Sequence, residues 1–370
     1  MRMKTGVTFV ALVLSLIACG GGEGGDGGEG DGGAADGAIN SISSTDAGLS
    51  ISTGKLGADI SDSYGKWWGG VKGPDGKIYG IPFTEDVILI IDPVTNTAKR
   101  STMGAALSGS EKWASGCLGP DGKIYCVPYN APDVLIIDPA KGIAVRTDFG
   151  LNLTDTEKWA GAVLGADNKI YCIPRNSTNI LIIDPVRGIA TRSAMGVNLA
   201  GSNKWSGGIL APNGKIYGVP RDSQDILIID PASATASRSN LGAALTKSHK
   251  YAEGILAPNG KIYAIPYTGS PAILIIDPTA NRASLSTMGT SFSGSGWSEG
   301  ILGPDRRIYA VPYTASDILV IDPVAGRASR VSIDGVGPTS TGKWVMGAIA
   351  GNKFYGIPYG SEAIILVEIF

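Results

Sequence analysis

Residues 113–138 read WASGCLGPDGKIYCVPYNAPDVLIID, and near-copies of this stretch recur from Trp67 to the C-terminus. Tyr79, Tyr125, Tyr171, Tyr217, Tyr263, Tyr309 and Tyr355 mark the copies at a constant spacing of 46 residues, so the chain holds seven units. A period of this size belongs to architectures in which each unit buries its apolar surface against its neighbours. Within a unit four strand-like runs follow one another, WSGGILA, KIYGVP, DILIID and ATASRS in the fourth copy. Four short strands repeated seven times predict an all-β chain: a seven-bladed β-propeller whose blades are four-stranded antiparallel sheets.

The turns set the register. In Gly119-Pro120-Asp121-Gly122-Lys123 the proline suits a φ of roughly −65° and the glycine a left-handed residue, as a three-residue hairpin loop with a glycine bulge requires. The seventh copy shortens this loop to Ala350-Gly351-Asn352-Lys353. A two-residue turn there pairs Ala348 with Tyr355, and the equivalent pair in the second copy is Cys117 with Tyr125. Every third strand carries Ile-Leu-Ile-Ile or a close variant, the apolar run expected where neighbouring blades cover both faces. The last copy stops at Phe370 after its third strand, while Gly48-Leu49-Ser50-Ile51-Ser52-Thr53 matches the missing fourth. This N-terminal strand is expected to close the ring and remove its open edge.

Upstream of the repeats, MRMKTGVTFVALVLSLIACGGG has a basic start, an apolar run from Val7 to Ile17 and small residues at its end. The run is short for a bilayer span and reads as a secretory signal over residues 1–18. Leu16-Ile17-Ala18-Cys19 resembles the lipobox of bacterial lipoproteins, which implies cleavage before Cys19 and lipidation, palmitate included, of its thiol. Gly20 after the cysteine resembles the pattern of lipoproteins sorted to the outer membrane or cell surface. Residues 19–38 would then be the lipidated cysteine and a glycine-rich tether, with a reach of roughly 25 Å, and residues 39–370 the propeller.

Composition narrows the partners. Beyond residue 38 the chain carries 29 basic against 28 acidic groups, and a body this close to neutral lacks the cation excess that nucleic-acid binding needs. A monomer is expected. Cys117, Cys126 and Cys172 read as buried free thiols, with Cys117 and Cys126 on opposite faces of one hairpin and so unbridged.

The small-residue inner strand, the PDGKIY hairpin and the IDP turn resemble the repeats of the virginiamycin B lyase, NHL and gluconolactonase-like propellers, over residues 49–370. Many unrelated functions occupy that fold. In the lyase-like enzymes a histidine and a glutamate with a magnesium ion do the chemistry, and no motif of theirs matches here residue by residue.

Candidate functional residues lie in the loops of one face. Lys66, Lys112, Lys158, Lys204, Lys250 and Lys343 each precede the aromatic residue that opens an inner strand; they could focus an anionic ligand or form a rim neutralised by nearby acids. The aromatics themselves, Trp67 and its equivalents, read as wedges between blades. The second loop begins with Phe83, Tyr129, Arg175, Arg221, Tyr267, Tyr313 and Tyr359, whose varied chemistry suits ligand contact. Two positions past the aromatic, only blades five and six place carboxylates, Glu253 and Glu299, and the sole histidine, His249, precedes them. Those three could bind a divalent cation or act as acid and base; alternatively they are a solvated loop histidine and neutralised channel carboxylates. The Asp-Pro pairs from Asp92 to Asp322 read as structural turns on the opposite face.

The leading expectation is a membrane-anchored, non-catalytic binding platform in the bacterial envelope, without a cofactor, whose partner is a glycan or an envelope protein. The alternatives are a metal-dependent lyase or hydrolase centred on Glu253, Glu299 and His249, and a structural spacer.

Overall fold

The computed structural model describes residues 40–44, 48–292, 296–338 and 341–370; the signal, Cys19 and the tether lie outside the described residues. Seven antiparallel sheets stand around one axis, and the seven first strands neighbour one another in a closed cycle, from Trp67–Lys72 of blade one round to Trp344–Ala350 of blade seven. Blades one to six are four-stranded with consecutive strands paired.

Blade seven combines Trp344–Ala350, Lys353–Pro358 and Ile364–Ile369 with Leu49–Gly54, which pairs with the last strand in the register Leu49 to Ile369 and Gly54 to Ile364. The expected closure is therefore present. A further strand, Asn40–Ser44, adds outside Leu49–Gly54 and makes this sheet five-stranded. The hairpin register also follows the turn reading: Ala348 pairs with Tyr355 and Cys117 with Tyr125.

Each conserved element of the repeat has a physical task. The third strands are mostly buried, as Ile88, Leu89 and Ile91 illustrate. In blades one, two, three and six the periodic tyrosine donates its hydroxyl to the hairpin-turn aspartate four residues earlier, at 2.9 Å for Tyr79 to Asp75 and 3.0 Å for Tyr125 to Asp121, while in blades four and five Asn213 and Asn259 donate to the tyrosine instead. The six opening tryptophans are fully buried, and each indole donates to a loop carbonyl, as Trp113 Nε1 does to Asp133 O at 2.9 Å. In blades two, three, four and six a fourth-strand arginine lies over that indole, with Arg146 5.3 Å and Arg238 5.5 Å from the Trp113 and Trp205 rings, its charge met by an acid such as Asp133 at 2.8 Å. Asp92 and its equivalents accept backbone N–H groups two and three residues on. Cys117, Cys126 and Cys172 are free thiols, and burial pushes the Cys117 thiol up to about 12.

Candidate functional site at the channel mouth

The first strand of each blade is bulged. Its ladder shifts between the opening aromatic and the residue three positions on in blades one to six, and between Val345 and Ala348 in blade seven. A bulge inserts unpaired residues and re-aims a side chain. Here the residue after the aromatic turns toward the axis: Trp68, Ala160, Ser206, Ala252, Ser298 and Val345 line one cavity, joined by Arg221, Tyr267 and Tyr313 from the second loops. Trp68 is the residue that the sequence reading passed over; only the first copy has a second tryptophan, and that departure was the available signal.

The varied second-loop positions meet as a ring over this cavity. Phe83 and Tyr129 approach to 5.5 Å between centroids, Tyr267 and Tyr313 to 5.3 Å, Tyr313 and Tyr359 to 6.0 Å, and Phe83 and Tyr359 to 6.1 Å. Trp68 packs inside, 4.9 Å from Phe83 and stacked at 6.1 Å on Tyr129. Arg175 lies over the Tyr129 ring at 5.3 Å and Arg221 over the Tyr267 ring at 5.2 Å, so the ring grades from apolar to cationic. Burial pushes the phenols of Tyr129, Tyr313 and Tyr359 up, which leaves the arginines as the charges of this rim at neutral pH.

The lysines hold that ring in place from beneath. Lys66, Lys112, Lys158, Lys204, Lys250 and Lys343 are all buried, Lys66 and Lys158 completely. The Lys158 backbone N–H donates to Tyr129 O of the preceding blade, and the Lys158 carbonyl accepts from Arg175 N of its own blade. The ammonium repeats the link, donating to Tyr129 O at 3.0 Å and to Asp155 O at 2.5 Å; Lys112 does the same to Phe83 O and Gly109 O, and Lys204 to Arg175 O and Gly201 O. Lys112 also approaches Asp86 at 3.8 Å. Burial lowers Lys112, Lys158, Lys204 and Lys250 to about 8 and lowers Lys66 and Lys343 as well. The ammonium groups are thus directed to carbonyls inside the loops. Replacing Lys158 with Met takes the ammonium from Asp155 O and leaves Tyr129 O with the backbone N–H alone, and is expected to lower unfolding free energy by about 2 kcal/mol, read from urea denaturation; an unchanged midpoint would show that the ammonium is not a clamp.

Glu253 and Glu299 come together deeper in the channel, and His249 does not join them. Among the described residues no group of three His, Cys, Asp or Glu side chains is placed to hold a metal ion. His249 occupies the left-handed position that Glu111, Glu157 and Asn203 occupy in other blades, at φ 51°. Its N–H donates to Asp222 at 2.5 Å, as Asn203 N does to Asn176, and its ring is half exposed. Glu253 is 8% exposed, lies over Gly207 of blade four, and has Oε2 buried without a hydrogen-bond partner. An alanine methyl at position 207 would stand 2.9 Å from the Glu253 carboxyl, so the glycine there makes room for it. Burial pushes Glu253 up to about 8; burial and then the charge of Glu253 push Glu299 well above the usual carboxylate range.

No protein-family model matches the sequence, nor does any curated protein. Solved structures do resemble the fold. A catalytically inactive virginiamycin B lyase from Staphylococcus aureus with quinupristin is similar at 11% identity and a TM-score of 0.65, over 90% of this chain and 99% of that one. Hydrazine synthase of Kuenenia stuttgartiensis is similar at 13% identity and a TM-score of 0.62, over 84% and 98%. The extracellular domain of a one-component system from Bacteroides thetaiotaomicron is similar at 10% identity and a TM-score of 0.61, over 83% of this chain and 41% of that one. At these identities the likeness concerns the fold.

Proposed function

We propose that this chain is an exported, lipid-anchored binding propeller that takes a glycan of the cell envelope at the mouth of its channel. The observation that carries the reading is the aromatic and arginine ring. Six blades repeat a buried lysine whose backbone ties the loop of the preceding blade to that of its own, yet the residues so held differ in chemistry from blade to blade, and they converge over one cavity. Flat phenol faces with a few convergent polar groups suit the apolar faces and hydroxyls of a sugar. Export and anchoring rest on the apolar N-terminal run and Leu16-Ile17-Ala18-Cys19, and extracellular domains among the structural neighbours support an address outside the cytoplasm. A binding role is favoured over acid–base or metal chemistry by the separation of His249 from the two glutamates.

A glycan array probed with the purified protein checks this. Retention of a restricted set of glycans is expected, reduced at least about tenfold when Tyr267 and Tyr313 are both changed to Ala, a loss of stacking of about 1.4 kcal/mol or more. Retention of none, or equal retention by the variant, would overturn the assignment of the mouth.

A further inference from the structure

Arg221 differs from the arginines that lie under the loops of this face in how its charge is met. Arg100, Arg146, Arg192, Arg238 and Arg330 each pair with an aspartate or glutamate. Arg175 donates through Nε to Glu157 at 3.2 Å, while its Nη1 is buried with no partner and the residue is only 7% exposed. Arg221, which lines the cavity, makes no hydrogen bond or ion pair through its guanidinium among the described residues, and its Nε is buried and unpartnered. Arg175 thus has Glu157 within ion-pair distance, whereas Arg221 has no ion pair, and the one acid that acts on its charge is the adjacent Asp222, already bound to the His249 backbone. Across the cavity the Ser298 hydroxyl is likewise buried without a partner.

A half-buried charge without an ion-pair partner is costly, and polar groups left unsatisfied in an otherwise satisfied scaffold mark places where a ligand completes the set. The space open to water there is about 40 Å³, room for about three water molecules. That admits a planar head of three heavy atoms. A carboxylate has this size, carries the single negative charge the site lacks, and presents two oxygens to the paired N–H groups of a guanidinium; the Ser298 hydroxyl adds a donor.

From this geometry we infer that the channel mouth binds a carboxylate, seated between Arg221 and Ser298, as the head of a ligand whose ring lies against Tyr267 and Tyr313. The inference rests on the channel-mouth reading above and adds the chemical class. A sugar acid and a peptide carboxylate share this head.

Calorimetric titrations of the purified protein with glucuronate, glucose, N-acetyl-tyrosine and inorganic phosphate at pH 7 test it. At least one of the two carboxylates is expected to bind at least tenfold more tightly than glucose and than phosphate, and which of them does so identifies the source of the head. Arg221→Gln should abolish that preference, and its melting temperature should equal or exceed that of the natural protein, because a charge without an ion-pair partner has been removed. Arg221→Lys, which keeps the charge and loses the fork, should lose most of the preference. A carboxylate preference surviving in Arg221→Gln, equal affinity for glucose and both carboxylates, or phosphate binding as tightly as the carboxylates would overturn the inference. Retention of no glycan, or equal retention by the Tyr267 and Tyr313 variant, with an intact carboxylate preference would count against the glycan reading alone.

Discussion

A chain shortened to begin at Lys55 is expected to lose its cooperative fold near physiological temperature, whereas one beginning at Gly48 should melt close to the full-length protein. The difference lies in Leu49–Gly54, the outer partner of Ile364–Ile369 over six paired positions. Leu49 is 2% exposed and Ile51 wholly buried, in a cluster with Val320, Trp344 and Val367. Their burial contributes about 1.5 to 3 kcal/mol each, and the ladder bonds about 0.5 to 1.5 each. Thr53 adds a buried bond from Oγ1 to Val336 O at 2.6 Å. The sum is on the order of 8 kcal/mol, comparable with the whole stability of a typical domain, about 5 to 15 kcal/mol. Losing the strand also uncovers the edge of the last blade, an invitation to pair with another chain. Ile51→Ala is the milder version, expected to cost about 3 kcal/mol. Thermal melts of the two shortened chains decide the matter: a difference under about 5 °C would mean that Leu49–Gly54 is not what closes the ring.

That closure was readable from the sequence because a period is a global signal. Seven copies overlay, so a strand missing at one end and a matching strand at the other stand out, and the shortened loop at Gly351-Asn352 checks the register independently. Asn40–Ser44 was not readable. Its sequence, NSISS, has no apolar alternation, and its pairing with Leu49–Gly54 is a backbone event. The bulges were hidden for a similar reason, since Gly-Gly, Ala-Gly and Ser-Gly pairs after the aromatic are compatible with a plain strand.

The lysines show the other limit. A lysine in a loop reads as a surface charge, because residue type alone does not reveal which carbonyls surround it; for Lys158 one of them, Tyr129 O, lies 29 residues away in the preceding blade. The second-loop residues were legible as candidates because they differ among otherwise equal copies. What the sequence could not convey was the contrast between Arg175, which pairs with Glu157, and Arg221, whose neighbouring acid Asp222 is bound to the His249 backbone instead. That contrast exists only once the blades are placed side by side.

Acidification from pH 8 to pH 5 is expected to stabilise the protein, and Glu253 with Glu299 is the cause. Both carboxyls are held above the ordinary carboxylate value, Glu253 at about 8. Between the unfolded value, about 4.3, and these raised values the folded state binds more protons than the unfolded one, so stability falls as pH rises through that window and is fully present below it. One carboxyl raised to about 8 corresponds to several kcal/mol at about 1.4 kcal/mol per pH unit, an upper bound because neighbouring dipoles relax. Above pH 8 the buried lysines act in the opposite sense: lowered to about 8, they leave the unfolded state with more protons, and stability recovers part of the loss until the tyrosines titrate. The profile should therefore have a minimum near pH 8. Changing both Glu253 and Glu299 to Gln keeps the shape and removes the titration, so the variant should be about as stable as the natural protein at pH 5 and markedly more stable at pH 8, by more than about 2 kcal/mol. Urea denaturation at pH 5, 6, 7 and 8 measures both curves. Parallel curves would show that the two glutamates titrate normally, and with that the shared burial of the pair inside the channel would have to be abandoned.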